Sequence, residues 1–132
     1  YDFGPLALTV TNYTFPDGDG TYSSGGFFEG DLEISASTEI GGLSLMGGYF
    51  PDLETLYIEA GFGLGDVDFA IGFGSDSADA FYVGAGESAI CNVSFGYSKE
   101  IKITDDYSLP LFSSFIFNPK SEAAFIVFGA SF

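Results

Sequence analysis

Carboxylates are the main chemical resource of this chain. Nineteen Asp and Glu stand against three Lys and Arg, with no His, for a formal charge of −16. Glu29, Asp31 and Glu33 recur at every second residue, and Glu59, Asp66 and Asp68 hold matching positions further along. Residues two apart on an extended chain share a face, so these six side chains are candidates for one crowded acidic surface. Like charges held close must raise their pKa, bind a cation or stay hydrated. The leading reading is a hydrated acidic wall without a metal. A cation-selective or Ca2+-holding lumen comes second, with Glu100 and Lys102 near one end, and charge exposed on a soluble sheet comes third. No other cofactor is expected.

Catalysis finds little support. Without His, neither a Ser-His-Asp triad nor the usual general base is available. Two-carboxylate chemistry through Glu29 and Glu59 is conceivable, but such pairs arise by chance in so acidic a chain. No enzymatic activity and no catalytic residue is expected. Asp17-Gly18-Asp19-Gly20 lacks the downstream Glu and flanking helices of an EF-hand and reads as a turn. Cys91, the only cysteine, reads as a small apolar filler. The Gly-x-Gly pairs at 61–63, 72–74 and 84–86 precede no helix that would hold a phosphate.

The elements that must position these groups are strands. At 132 residues the chain is one domain, 1–132, rich in Gly (19), Phe (16) and Tyr (8), a composition that favours closely packed strands. So few cations disfavour nucleic acid and binding to anionic headgroups through basic side chains. No run of about 18 apolar residues occurs, which removes a spanning helix but not a spanning barrel. The chain opens at Tyr1 without Met or a signal peptide, so it is either a processed form or a segment lacking upstream strands; the second is favoured.

Alternation with period two predicts about eight strands and no helix. They run over 3–13, 28–37, 43–50, 55–64, 67–74, 92–103 and 107–117, with a last strand over the terminal ten residues. The cleanest set Phe28, Gly30, Leu32, Ile34 and Ala36 against Glu29, Asp31, Glu33, Ser35 and Ser37. Connections at 14–26 and 75–89 are long, whereas those at 38–42, 64–66 and 103–107 are short. Long loops on one side and tight turns on the other are the habit of outer-membrane barrels, although 51–54 and 118–121 are short where long loops would be expected.

One alternation fits two orientations. A soluble sandwich turns its apolar face inward; a membrane barrel turns it to lipid and lines its lumen with small or polar residues. Three features favour the barrel: strands of nine to twelve residues, glycine on the polar face, and aromatics at strand ends. Phe3, Tyr13, Phe27, Tyr49, Phe50, Tyr107, Phe117 and Phe132 would form interfacial girdles. In the last strand Phe132, Ala130, Phe128, Ile126 and Ala124 would meet lipid, and Phe125, Val127, Gly129 and Ser131 would face inward. The expected fold is therefore an antiparallel up-and-down transmembrane β-barrel of about eight strands, with a soluble antiparallel β-sandwich as the alternative.

A resemblance agrees with this. Tyr13-Thr14-Phe15-Pro16, Phe28-Glu29-Gly30, Leu56-Tyr57-Ile58-Glu59-Ala60-Gly61 and Lys99-Glu100-Ile101-Lys102-Ile103-Thr104-Asp105 resemble an uncharacterised family of Bacteroidota outer-membrane β-barrel proteins. The likeness is closest in Tyr107-Ser108-Leu109-Pro110-Leu111-Phe112, in Phe117-Asn118-Pro119-Lys120-Ser121-Glu122 and in the terminal Phe128-Gly129-Ala130-Ser131-Phe132. Family members carry further N-terminal strands without counterpart here. The resemblance implies an outer-membrane location and no established activity. It also implies that the terminal strand, through Phe128 and Phe132, is the signal read by the outer-membrane insertion machinery.

The expected function is thus a structural or narrow-pore outer-membrane barrel, in contact with lipid and the insertion machinery and able to form homo- or hetero-oligomers. The alternatives are a secreted, extracellular β-sandwich or fibre subunit assembling by strand addition, or a barrel holding a small apolar ligand. Because eight-stranded barrels are usually filled by side chains, a plugged barrel ranks above an open channel.

Overall fold

The computed structural model describes residues 4–13, 30–77 and 81–131. Glu29, Phe132, the girdle residues Phe3 and Phe27, and the 17–20 turn lie outside them. Within the described residues the chain is all-β, without helix. Its strands are β1 (Leu6–Tyr13), β2 (Asp31–Ile40), β3 (Leu43–Phe50), β4 (Thr55–Leu64), β5 (Val67–Asp76), β6 (Ser88–Lys102), β7 (Ser108–Asn118) and β8 (Ala123–Ala130). They form one sheet in chain order, each strand antiparallel to the next. This is the eight-stranded up-and-down arrangement that the alternation predicts. Among the described residues no ladder joins β8 to β1.

The hairpins at one end are tight for a local reason. Gly41 and Gly42 have φ of 59° and 82°, the positive pair that a two-residue turn needs to match strand twist. At the opposite end, the four-residue turns at 51–54 and 119–122 each close on a left-handed Glu, Glu54 (φ 48°) and Glu122 (φ 56°). Asn118 Oδ1 accepts the backbone N–H of Lys120 (2.9 Å) and Ser121 (3.1 Å), which folds the second of them.

Register converts the alternation into two opposite surfaces. One cross-strand row reads Ile40, Leu43, Phe62, Phe69, Phe95, Phe115, Ile126 from β2 to β8. Its rings pair as they pass, Phe62 with Phe69 at 5.1 Å and Phe95 with Phe115 at 5.3 Å. The neighbouring row on the other face reads Glu39, Ser44, Gly61, Ala70, Ser94 before turning apolar at Ile116 and Phe125. The apolar row is on the outside: Phe62 is 51% exposed, Phe95 52% and Ile126 64%. Phe50 and Cys91 are the only buried apolar side chains among the described residues. The glycines Gly48, Gly61, Gly72 and Gly74 are buried too, so the protected side is the one lined by small residues.

Two sequence expectations change. Phe50 and Tyr13 do not belong to an outer girdle. Phe50 is 2% exposed and its ring lies 5.6 Å from that of Tyr13, because both fall on the inner parity of their strands. The strand expected from residue 92 begins at Ser88. A β-bulge at Cys91 opposite Gly72 and Phe73 puts two consecutive residues out of step, which hides the first turn of alternation from a period-two reading.

Candidate functional site

The inner face is organised around a carboxylate at the end of β5. Asp76 is 2% exposed, and its Oδ2 accepts four consecutive backbone N–H groups, from Phe81 (3.0 Å), Tyr82 (2.8 Å), Val83 (2.7 Å) and Gly84 (3.0 Å). Converging backbone amides of this kind make a nest for negative charge. Two further bonds pin the same loop: the Asp76 N–H donates to Glu87 O (3.0 Å), and the Glu87 N–H donates to Gly84 O (2.9 Å). Outside it, Lys120 forms an ion pair with Glu87, tying the loop to the β7–β8 turn.

Held this way, residues 81–84 fold onto the inner face. The Phe81 ring lies 5.0 Å from that of Phe50, and the Tyr82 ring lies 4.9 Å from that of Tyr57. Tyr82 fits because Gly74 beneath it has no side chain; a Cβ there would come within 2.6 Å of the Tyr82 Cβ and 3.2 Å of Cys91 Sγ. Burial pushes the Tyr82 hydroxyl up from 10.0 to about 12, and the negative charge of Glu33 adds to the effect. A folded-state pKa above the unfolded one means that the contribution is fully present below about pH 10 and is lost as pH rises towards 12. Unfolding midpoints measured against pH should therefore fall over that window more steeply in the natural chain than in Tyr82→Phe.

Beneath the aromatic cluster lies a polar network. The Tyr57 hydroxyl donates to Glu59 Oε2 (2.5 Å), and Asn92 Nδ2 donates to the same oxygen (2.8 Å) and to Tyr57 Oη (3.1 Å). The network links β4 to β6 across β5 because Tyr57 reaches over Gly72, where any Cβ would collide with the phenol. The bulge at Cys91 turns both Cys91 and Asn92 inward. Gly72→Ala is expected to lower stability by about 1–3 kcal/mol, the range for overpacking, as read from chemical denaturation. An unchanged midpoint would contradict the packing of Tyr57 over Gly72.

Past Glu59 the inner face opens into a cavity of about 480 Å3 bounded by Glu39, Ser44, Asp68, Ser94, Ser98 and Phe112, among others. The lining comes from β2 to β7, which shows that the sheet curls around this space.

The six carboxylates singled out in the sequence divide. Asp31, Glu33, Glu59 and Asp68 fall on the inner parity of their strands, as the alternation predicts. Asp66 instead sits in the β4–β5 turn, where its carbonyl accepts the Ser98 N–H (2.9 Å). Among the described residues no three His, Cys, Asp or Glu side chains are grouped to hold a metal ion. Glu59 and Asp68 line the cavity together with Glu39, and Glu59 spends one oxygen on Tyr57 and Asn92. Millimolar Ca2+ should therefore leave the thermal melt unshifted, and a clear rise in melting temperature would contradict this account. Asp76, Tyr57, Asn92 and Tyr82 were not legible as a site. An Asp in a small-residue loop reads as turn chemistry, and only the fold shows which amides reach it.

Comparison with protein-family models, with curated proteins and with solved structures gives no match.

Proposed function

We propose that this chain is a small outer-membrane β-barrel of the Bacteroidota type that its motifs resemble. Its role in this reading is structural, with a closed lumen and no chemistry of its own. The observation that carries the proposal is the inversion of packing. The continuous apolar row from Ile40 to Ile126 faces away from the protected side, which holds glycine, serine and a hydrogen-bonded carboxylate network. In water so large an apolar surface is costly, at roughly 25 cal/mol per Å2; in acyl chains it is the required surface. Five of the eight strands run ten to fifteen residues, long enough for a tilted crossing, which takes about 9–11 residues; β1, β3 and β8 have eight each, short of the expected nine to twelve. In this reading the partners are lipid and the insertion machinery, with Phe128 and Phe132 as the entry signal.

Fractionation combined with gel mobility tests the proposal. The expected protein stays in the membrane fraction until detergent is added and, unheated in SDS, migrates differently from the boiled sample. A protein that remains in solution without detergent, with one mobility heated or not, would favour the secreted sandwich instead.

A further inference from the structure

We infer that residues 81–84 are a plug, tethered through Asp76, that closes the lumen at its loop end and shields Cys91. The lumen in this statement rests on the barrel reading; the shielding does not.

Three observations converge on the same few residues. The tether is built: one buried carboxylate oxygen collects four successive amides, so the segment's backbone is satisfied from inside rather than by water. The seat is built as well. Gly74 makes room for Tyr82, while Phe50 and Tyr57, on two adjacent strands, supply the rings on which Phe81 and Tyr82 rest. Finally, the space below is divided. The cavity reaches as far as Glu59, and Phe50, Asp76 and Tyr82 do not line it. Between the cavity and the loop end therefore stand the Tyr57–Glu59–Asn92 network and, above it, the folded segment. Cys91 is buried, and its Sγ and the Tyr82 Cβ both border the space that Gly74 leaves open.

The sole cysteine is a built-in reporter. Full chain refolded in detergent micelles is exposed to a water-soluble charged maleimide, in the natural form and as Asp76→Ala and Tyr82→Gly. Cys91 of the natural form should react slowly and both variants about ten-fold faster or more, the signature of a local opening, while all three keep their heat-dependent mobility. Should Asp76→Ala lose that mobility, Tyr82→Gly carries the test, since Tyr82 lies outside every strand. Equal labelling rates in natural and folded variant protein would overturn the plug. Planar bilayers then test occlusion: the natural form should be silent and the variants should show current steps. Faster labelling with silent variants that have inserted would overturn the closure of the lumen while leaving the shielding intact. Absence of insertion for all three forms would count against the barrel, and the labelling result would stand by itself.

Discussion

Asp76→Ala should lower the free energy of unfolding by about 3 kcal/mol, the upper end of what a hydrogen bond to a charged group contributes. Four amides lose one acceptor together. Each is donated within 2.7–3.0 Å to the same oxygen, so no single bond can be kept when the carboxylate goes. The loss is bounded above because the segment can lift away and hydrate, leaving the β5–β6 ladder in place. Asp76→Asn keeps one acceptor oxygen in the same shape and should cost roughly half as much on the same scale. Denaturant unfolding in detergent measures both. A change below about 0.5 kcal/mol in Asp76→Ala, the level of an ordinary surface substitution, would show that the nest does not hold the loop.

The second large effect concerns the opposite surface. Phe95 stands in the middle of the apolar row, between Phe69 and Phe115. If that row meets acyl chains, Phe95→Arg places a cation near the middle of the bilayer and should cost about 2–4 kcal/mol of folding free energy in vesicles. The same change in a protein whose exposed face meets water would cost little, because half of the Phe95 side chain is already uncovered. Ser94→Arg, one residue away on the inner face, gives the necessary comparison: it projects into the cavity with Asp68 and Glu39, where a cation meets negative charge. The expected order is therefore a large loss at 95 and a smaller one at 94. Equal losses, or the reverse order, would remove the distinction between the two faces.

Much of this fold is legible in the sequence because its signal is local and periodic. Thr55–Leu64 alternates along its length, and both it and Leu43–Phe50 run over the residues that the sequence predicts. Gly41-Gly42 and Gly65 mark hairpins whose backbone only glycine adopts easily. Legibility ends where a contact depends on a distant strand. The bulge at Cys91 breaks the period, so β6 reads four residues short. Phe50 and Tyr13 have the composition of interfacial aromatics, and their inward position follows from strand parity together with a loop that returns over them. The candidate site was hidden for the same reason. Glu59 is recognisable as a carboxylate on a polar face, with Tyr57 two residues before it on the same strand, but Asn92 comes from β6, across Gly72 of the intervening strand. Asp76, the most buried of the described carboxylates, carries no mark in the sequence beyond a run of small residues after it.

In the barrel reading the phenylalanine-bearing face meets lipid and the glycine-bearing face does not. The chain contains no tryptophan, so one introduced indole reports its own surroundings. Phe95→Trp and Ser94→Trp, each refolded into vesicles containing lipids brominated on the acyl chains, place that indole on opposite faces at nearly the same height. Strong quenching of the Phe95→Trp fluorescence is expected, with little quenching for Ser94→Trp. Fluorescence from Phe95→Trp that is untouched by brominated chains would contradict that reading.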